Sequence, residues 1–334
     1  MSIPAVLTVA TIADPTLWLI TLGAILALLV FDFLLTRRPH EVSMREAVGW
    51  SIFYVALPLA FGVWVWNAHG SQTGLEFYTG YLVEKSLSVD NLFVFILILS
   101  SFAVPRPLQQ RVLLIGIVGA LIMRAAFIAV GAVLIERFTW MFLVFGAVLL
   151  VTAWGVLRDA RKGGHSLDVQ ELRLVRLVRR WFPVVPDYRG THLVVREGAG
   201  RALTPLALVV LAILGTDLVF AVDSVPAVYG ITGDPYLVFV TNAFALLGLR
   251  ALYFVLEGAL SRLRHLGYGL AVILAFIGVK LVLHWAHGVW AWVPTIPTLV
   301  SLAVIVGALT VVTVTSLLAD AKSRRALVQS LSNP

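Results

Sequence analysis

Glu84-Lys85-Ser86-Leu87-Ser88-Val89-Asp90-Asn91 is the first of two stretches that share one pattern. The second is Asp217-Leu218-Val219-Phe220-Ala221-Val222-Asp223-Ser224. In each, an acid is followed six positions later by an aspartate that comes after valine and before a small polar residue. Both stretches lie inside apolar runs of the length that spans a bilayer, about 20 residues. A carboxylate at the centre of hydrocarbon costs about 2.5–3.5 kcal/mol on insertion scales, so its default reading is part of an ion or proton pathway. The duplicated acidic pair therefore points to a helical membrane protein with a polar centre.

Composition agrees. The 334 residues are 60% hydrophobic and 13% charged, where soluble domains carry about 25% charged residues. The chain has no cysteine, which removes disulfides, thiolate metal sites and thiol redox chemistry together. Any metal would be held by oxygen or imidazole. The net charge of +7 collects in particular loops, which is a membrane-topology signal rather than a nucleic-acid footprint. No basic n-region with a cleavage site opens the chain, so insertion by the spans themselves is expected.

Apolar runs near 17–35, 47–66, 78–104, 109–134, 139–158, 203–230, 236–258, 267–286 and 297–319 predict an all-α polytopic fold of about nine transmembrane helices. Basic residues fall on every second loop: Arg37, Arg38 and Arg45; Arg106 and Arg111; the long segment 159–202; Arg262 and Arg264; and the tail with Lys322, Arg324 and Arg325. By the positive-inside rule the amino terminus is outside and the carboxyl terminus cytoplasmic. Trp64, Trp66, Trp140, Trp285, Trp290 and Trp292 then mark the outer ends, where an aromatic belt belongs. Segment 159–202 holds nine basic residues against five acids. Within it Leu172, Leu174, Val175, Leu177 and Val178 alternate with arginines as in an amphipathic helix on an anionic leaflet. A topology-setting cytoplasmic linker is the plain reading of this loop.

The repeat extends beyond the acids. Leu121-Ile122-Met123-Arg124-Ala125-Ala126-Phe127 matches Leu247-Gly248-Leu249-Arg250-Ala251-Leu252-Tyr253, and Phe145-Gly146-Ala147-Val148-Leu149-Leu150 matches Ile277-Gly278-Val279-Lys280-Leu281-Val282. Matching members are three spans apart, an odd number, so two inverted three-helix repeats are expected, as in many secondary transporters. The organisation is two helices in 1–77, a repeat in 78–158, the basic loop 159–202, a second repeat in 203–286, and a last helix and tail in 287–334.

In a continuous helix Glu84, Ser88 and Asn91 share one stripe, and Asp217, Ala221 and Ser224 share the equivalent one. Asp90 and Asp223 would point about 120° away. Bringing all four carboxylates onto one ion thus requires local unwinding, for which Pro226 is the candidate, since it cannot donate to the Val222 carbonyl. Carboxylate, amide, hydroxyl and carbonyl oxygens suit hard divalent ions such as Mg2+, Ca2+ or Mn2+. The expected ligands are Glu84, Asp90, Asn91, Asp217, Asp223 and Ser224, with Arg124, Arg250 and Lys280 as neutralising charges. Four carboxylates around one divalent ion leave surplus negative charge, so protons are the natural competitor. Lys85 is expected to snorkel, and Asp32 and Glu257 to be interfacial charges, with His284 and His287 at an outer boundary. No GxSxG, HExxH, P-loop or GxGxxG motif occurs, so no enzyme is expected, and the partners are the lipid bilayer, a divalent ion and protons.

The strings Glu84-Lys-Ser-Leu-Ser-Val-Asp-Asn-Leu-Phe-Val-Phe and Asp217-Leu-Val-Phe-Ala-Val-Asp-Ser-Val-Pro-Ala, with Asn242-Ala-Phe-Ala-Leu-Leu-Gly-Leu-Arg250-Ala-Leu-Tyr-Phe, resemble the TerC family of integral membrane proteins. That family is similar to the LysE-type exporters. The resemblance implies a multi-pass protein of the bacterial inner membrane, concerned with metal homeostasis, chiefly Mn2+ efflux, and with tellurium resistance. It also implies that Glu84, Asp90, Asp217 and Asp223 are the acidic site, with no permanently bound cofactor. One departure is Leu214, where the family pattern has a glutamate one turn before the second acidic pair. A rival reading is a membrane scaffold for a metal-stress complex, with the basic loop recruiting partners.

Overall fold

The computed structural model describes residues 11–35, 42–161, 180–197, 200–256, 265–290 and 292–332. Its elements are α1 (Pro15–Leu35), α2 (Met44–His69), α3 (Ser71–Ser101), α4 (Arg106–Arg137), α5 (Met141–Arg161), β1 (Val194–Glu197), β2 (Gly200–Leu203), α6 (Pro205–Tyr229), α7 (Pro235–Leu247), α8 (Leu249–Leu256), α9 (Leu266–Val289) and α10 (Thr298–Ser332). Each of the nine apolar runs is helical, the seventh as the broken pair α7 and α8.

Among the described residues eight helical segments are long and apolar enough to cross a membrane. The ninth, α3, falls outside that set for a physical reason. Every stretch of it of spanning length contains Glu84, Lys85 and at least one of Glu76 and Asp90. Such a helix is stable in a bilayer only when other helices shield its charges, and α3 packs against α2, α6, α7, α9 and α10. The outer helices show the opposite exposure: Leu19, Leu26 and Leu34 of α1 stand outward, as a lipid-facing surface requires.

Local signals set the boundaries. Ser43 caps α2 by accepting from the Glu46 N–H, the hydroxyl half of a capping-box pattern. Thr204 caps α6 and Asp234 caps α7, each followed by a proline at the first helical position, where its missing N–H costs nothing. Gly70 joins α2 directly to α3 with φ of 91°, a left-handed value that glycine adopts without a Cβ clash.

Two differences from the sequence expectation stand out. α6 runs unbroken through Pro226 to Tyr229, so the expected unwinding is absent. Pro226 lies in the last turn, where losing one intrahelical bond leaves little helix to disrupt. The break occurs instead at Gly248, between α7 and α8. Second, the basic loop contributes a two-stranded antiparallel hairpin, β1–β2, which the linker reading did not foresee. The amphipathic stretch 172–178 lies outside the described residues.

The helices of the two halves pack reciprocally: α3 on α7, α4 on α6, and α5 on α9. Backbone meets backbone at Gly146 and Gly278. A Cβ on Gly146 would lie 2.8 Å from the Gly278 carbonyl oxygen, and one on Gly278 would lie 3.0 Å from that of Gly146. Because both obstacles are backbone, Gly146→Leu should lower stability by about 1–3 kcal/mol or more. Gly155→Leu, on the same helix with nothing within 4 Å of its Cβ position, should be nearly neutral. Thermal unfolding of both variants in detergent decides this, and equal midpoints would contradict the close packing.

Candidate functional site

The two acidic stripes face one side chain. Arg124, on α4, is fully buried, as are Glu84 on α3 and Asp217 on α6. The Arg124 guanidinium forms ion pairs with both acids. Its Nε and Nη2 donate to the two Asp217 oxygens at 3.3 and 3.0 Å, the bidentate fork geometry that suits arginine to carboxylate. Nη1 donates to Glu84, to Ser224 Oγ at 3.1 Å and to Asn242 Oδ1 at 3.4 Å. With its amide oriented to satisfy both neighbours, Asn91 accepts from Nη2 at 3.1 Å and donates to the Leu87 carbonyl at 3.1 Å. One cation thus ties together α3, α4, α6 and α7.

The charges do not cancel there. Arg124 supplies one positive charge against Glu84 and Asp217, and Asp223, half-buried, lies on the same helix as Asp217. Among the described residues Glu84 Oε2, Ser88 Oγ and Asn242 Nδ2 are buried without a hydrogen-bond partner. Orphaned polar atoms beside surplus negative charge are unusual in a protein interior. Here they mark a polar centre among apolar helices.

Of the expected ligands, the structure brings together Glu84, Asn91, Asp217 and Ser224, with Asp223 alongside. Asp90 is on α3, and its side chain lies outside the described residues. Among the described residues no three acidic or imidazole side chains form a ready metal cage, since Arg124 stands between Glu84 and Asp217. Asn242, outside the expected ligand set, joins the site from α7 through Arg124. Its signal was its position, one helix away from the second acidic pair.

The other expected neutralising charges are elsewhere. Arg250, whose flanking sequence matches that of Arg124, pairs with Asp32 on α1 and donates to Gln110 on α4 at 3.2 Å. Asp32 is therefore no interfacial charge. It is buried because Arg250 compensates it, and the Tyr54 hydroxyl stands beside it. Lys280 donates to Ser301 Oγ at 3.0 Å on α10, away from the acids. Lys85 does not snorkel: its Nζ donates to the Ala245 carbonyl at 3.3 Å, at the end of α7, where a cation satisfies the unpaired carbonyls. His284 packs edge-on against Phe142 with ring centroids 4.7 Å apart. Glu257 lies outside the described residues.

This arrangement of buried acids on two repeated helices meets an independent comparison. A family model described as the integral membrane protein TerC family matches residues 69–324, which contain every helix that contributes to the Arg124 cluster. The chain belongs to the TerC family. It is 46% identical over 279 residues to an uncharacterized membrane protein of Mycobacterium tuberculosis, covering 82% of this chain and 70% of that one. It is 38% identical over 328 residues to an uncharacterized membrane protein of Myxococcus xanthus, covering 98% and 99%. A Salmonella typhi protein with the provisional name membrane-bound redox modulator Alx is 41% identical over 312 residues, covering 90% and 94%. No solved structure matches the chain. As a TerC protein it is an integral multi-pass membrane protein. The Leu214 side chain lies against Gly119 of α4, where an added Cβ would come within 2.4 Å of the leucine Cδ2.

Proposed function

We propose that this TerC protein is a secondary transporter that exports a divalent cation, most simply Mn2+, from the cytoplasm in exchange for protons. The observation that carries the reading is the charge imbalance at Arg124. Two buried carboxylates share one guanidinium in the middle of apolar helices, and among the described residues oxygen groups beside them lack partners. Helices bear that cost where a cation passes. The oxygen-only donor set of Glu84, Asp217, Asp223, Asn91 and Ser224 fits hard divalent ions and not Cu+, and the family resemblance favours Mn2+ within that class, with Ca2+ as its nearest rival.

In this mechanism Arg124 is an internal cation that the cargo displaces. When Mn2+ enters, the acids exchange the guanidinium for the metal, and Arg124 swings to whichever acid remains free. Protons compete for the same oxygens, so each orientation of the helices is favoured by the ion it binds better. The reciprocal packing of α3 on α7, α4 on α6 and α5 on α9 supports two repeats moving as units. The positive loops favour placing 159–202 and the carboxyl terminus in the cytoplasm of a bacterial inner membrane. The name of the Salmonella relative suggests a redox role, but a chain without cysteine has no thiol–disulfide chemistry to offer, which favours transport. A non-transporting stress scaffold is the remaining alternative.

Metal binding to protonatable oxygens releases protons. Apparent Mn2+ affinity should therefore weaken as pH falls from mildly alkaline to mildly acidic. Calorimetry of Mn2+ binding to the purified protein, in two buffers of different ionisation enthalpy, reads both affinity and protons released. A pH-independent affinity with no proton release would remove the exchange mechanism, and no binding at all would favour the scaffold.

A further inference from the structure

The hairpin that the sequence did not reveal carries an unexplained charge arrangement. Arg196 and Arg201 are direct cross-strand partners in the β1–β2 register, and both are exposed. Like charges held opposite one another weaken a strand pair. Residues 180–203 also carry exposed Arg180 and Arg189, and among the described residues none of the four arginines has a carboxylate within ion-pair distance.

The setting is as informative as the charge. The segment leading to the hairpin bonds to β2 through the Pro183 carbonyl and the Val185 N–H, both to Leu203. Tyr188 Oη donates to the Phe102 carbonyl at 2.7 Å, just beyond the end of α3, and Thr204 at the end of β2 caps α6. These bonds hold the hairpin against the ends of two membrane helices. A groove of about 550 Å3 lies there, lined by Phe102, Ala103, Pro183, Tyr188 and Leu208 among others. Next to it Trp181 and Phe182 are 73% and 56% exposed. Large exposed aromatic residues at the end of spanning helices belong at the headgroup level of a bilayer.

We propose that this hairpin is a docking site for an anionic phospholipid, whose phosphate is held between Arg196 and Arg201 while Trp181 and Phe182 sit in the interface. The lipid phosphate supplies the negative charge that the opposed arginines lack. The site pins the segment between the two three-helix units to the membrane surface, independently of what the transport centre carries.

The test uses the full chain in lipid nanodiscs, with brominated phosphatidylglycerol or brominated phosphatidylcholine as quencher. The signal of Trp181 is taken as the difference from Trp181→Phe. Phosphatidylglycerol should quench preferentially, and Arg201→Glu should reduce that preference about 10-fold or more. The same substitution puts an opposite charge across from Arg196, so the hairpin should remain folded. The double variant Arg196→Gln/Arg201→Gln should lose the preference as well. Equal quenching by the two lipids, or a preference that survives in both variants, would overturn the proposal. So would displacement of phosphatidylglycerol by millimolar inorganic phosphate, which would make this a soluble-phosphate site.

Discussion

Arg124→Leu should destabilise the protein by about 3–5 kcal/mol, the cost of stripping the partner from a buried ion pair. Glu84 and Asp217 are both fully buried, so without the guanidinium two carboxylates would stand uncompensated among apolar helices. The bonds to Ser224, Asn242 and Asn91 would be lost as well. Arg124→Lys should recover only part of the loss. An ammonium is a point charge and cannot reproduce the two-pronged contact with Asp217 while also reaching Glu84. The combination Arg124→Leu, Glu84→Gln, Asp217→Asn should be more stable than Arg124→Leu alone, because it removes the orphaned charges together. Denaturant unfolding in detergent, followed by tryptophan fluorescence, measures all three. Wild-type stability for Arg124→Leu would contradict the ion-pair geometry.

Neutralising Asp223 should have the opposite profile. This aspartate is half-buried on α6 and makes no ion pair among the described residues, so Asp223→Asn breaks no charge pair and should not destabilise the protein. Its effect on transport should be large. Losing even an outer-shell partner of a metal costs about 10–100-fold in affinity, so losing a charged ligand should reduce Mn2+ transport by at least about 100-fold. Asp90→Asn, at the matching position of the first stretch, should behave in the same way. On this account Glu84 and Asp217 serve both folding, through Arg124, and the cargo, whereas Asp90 and Asp223 serve the cargo alone. Transport assays on variants matched for folded content separate the two roles.

Much of this was legible from residues alone. Nine apolar runs gave nine helical segments, and the stripes Glu84-Ser88-Asn91 and Asp217-Ala221-Ser224 do converge, because a 3.6-residue period fixes which side chains share a face. The residues name Arg124, Arg250 and Lys280 as neutralising partners of the acids, directly or across helices. Arg124 pairs with them directly, between Glu84 and Asp217, and no one-dimensional pattern tells which of three cations reaches them. Arg124 and Arg250 stand in matching sequence strings but meet different partners. The difference arises because α1 brings Asp32 to Arg250, and a contact between residues 218 positions apart has no local signal. Pro226 was read as a break because prolines commonly break helices, but its place in the final turn made it tolerable. The hairpin escaped notice because its strands are four residues each, too short for alternation to emerge from a basic loop.

The measurement closest to the central claim is Mn2+ uptake into inside-out membrane vesicles containing the wild-type protein or Asp223→Asn, with and without an imposed proton gradient. The account predicts uptake by the wild type that rises when the vesicle interior is acidic and collapses when the gradient is dissipated, and none above background for the variant. Equal uptake by the two proteins, or wild-type uptake indifferent to the gradient, would contradict it.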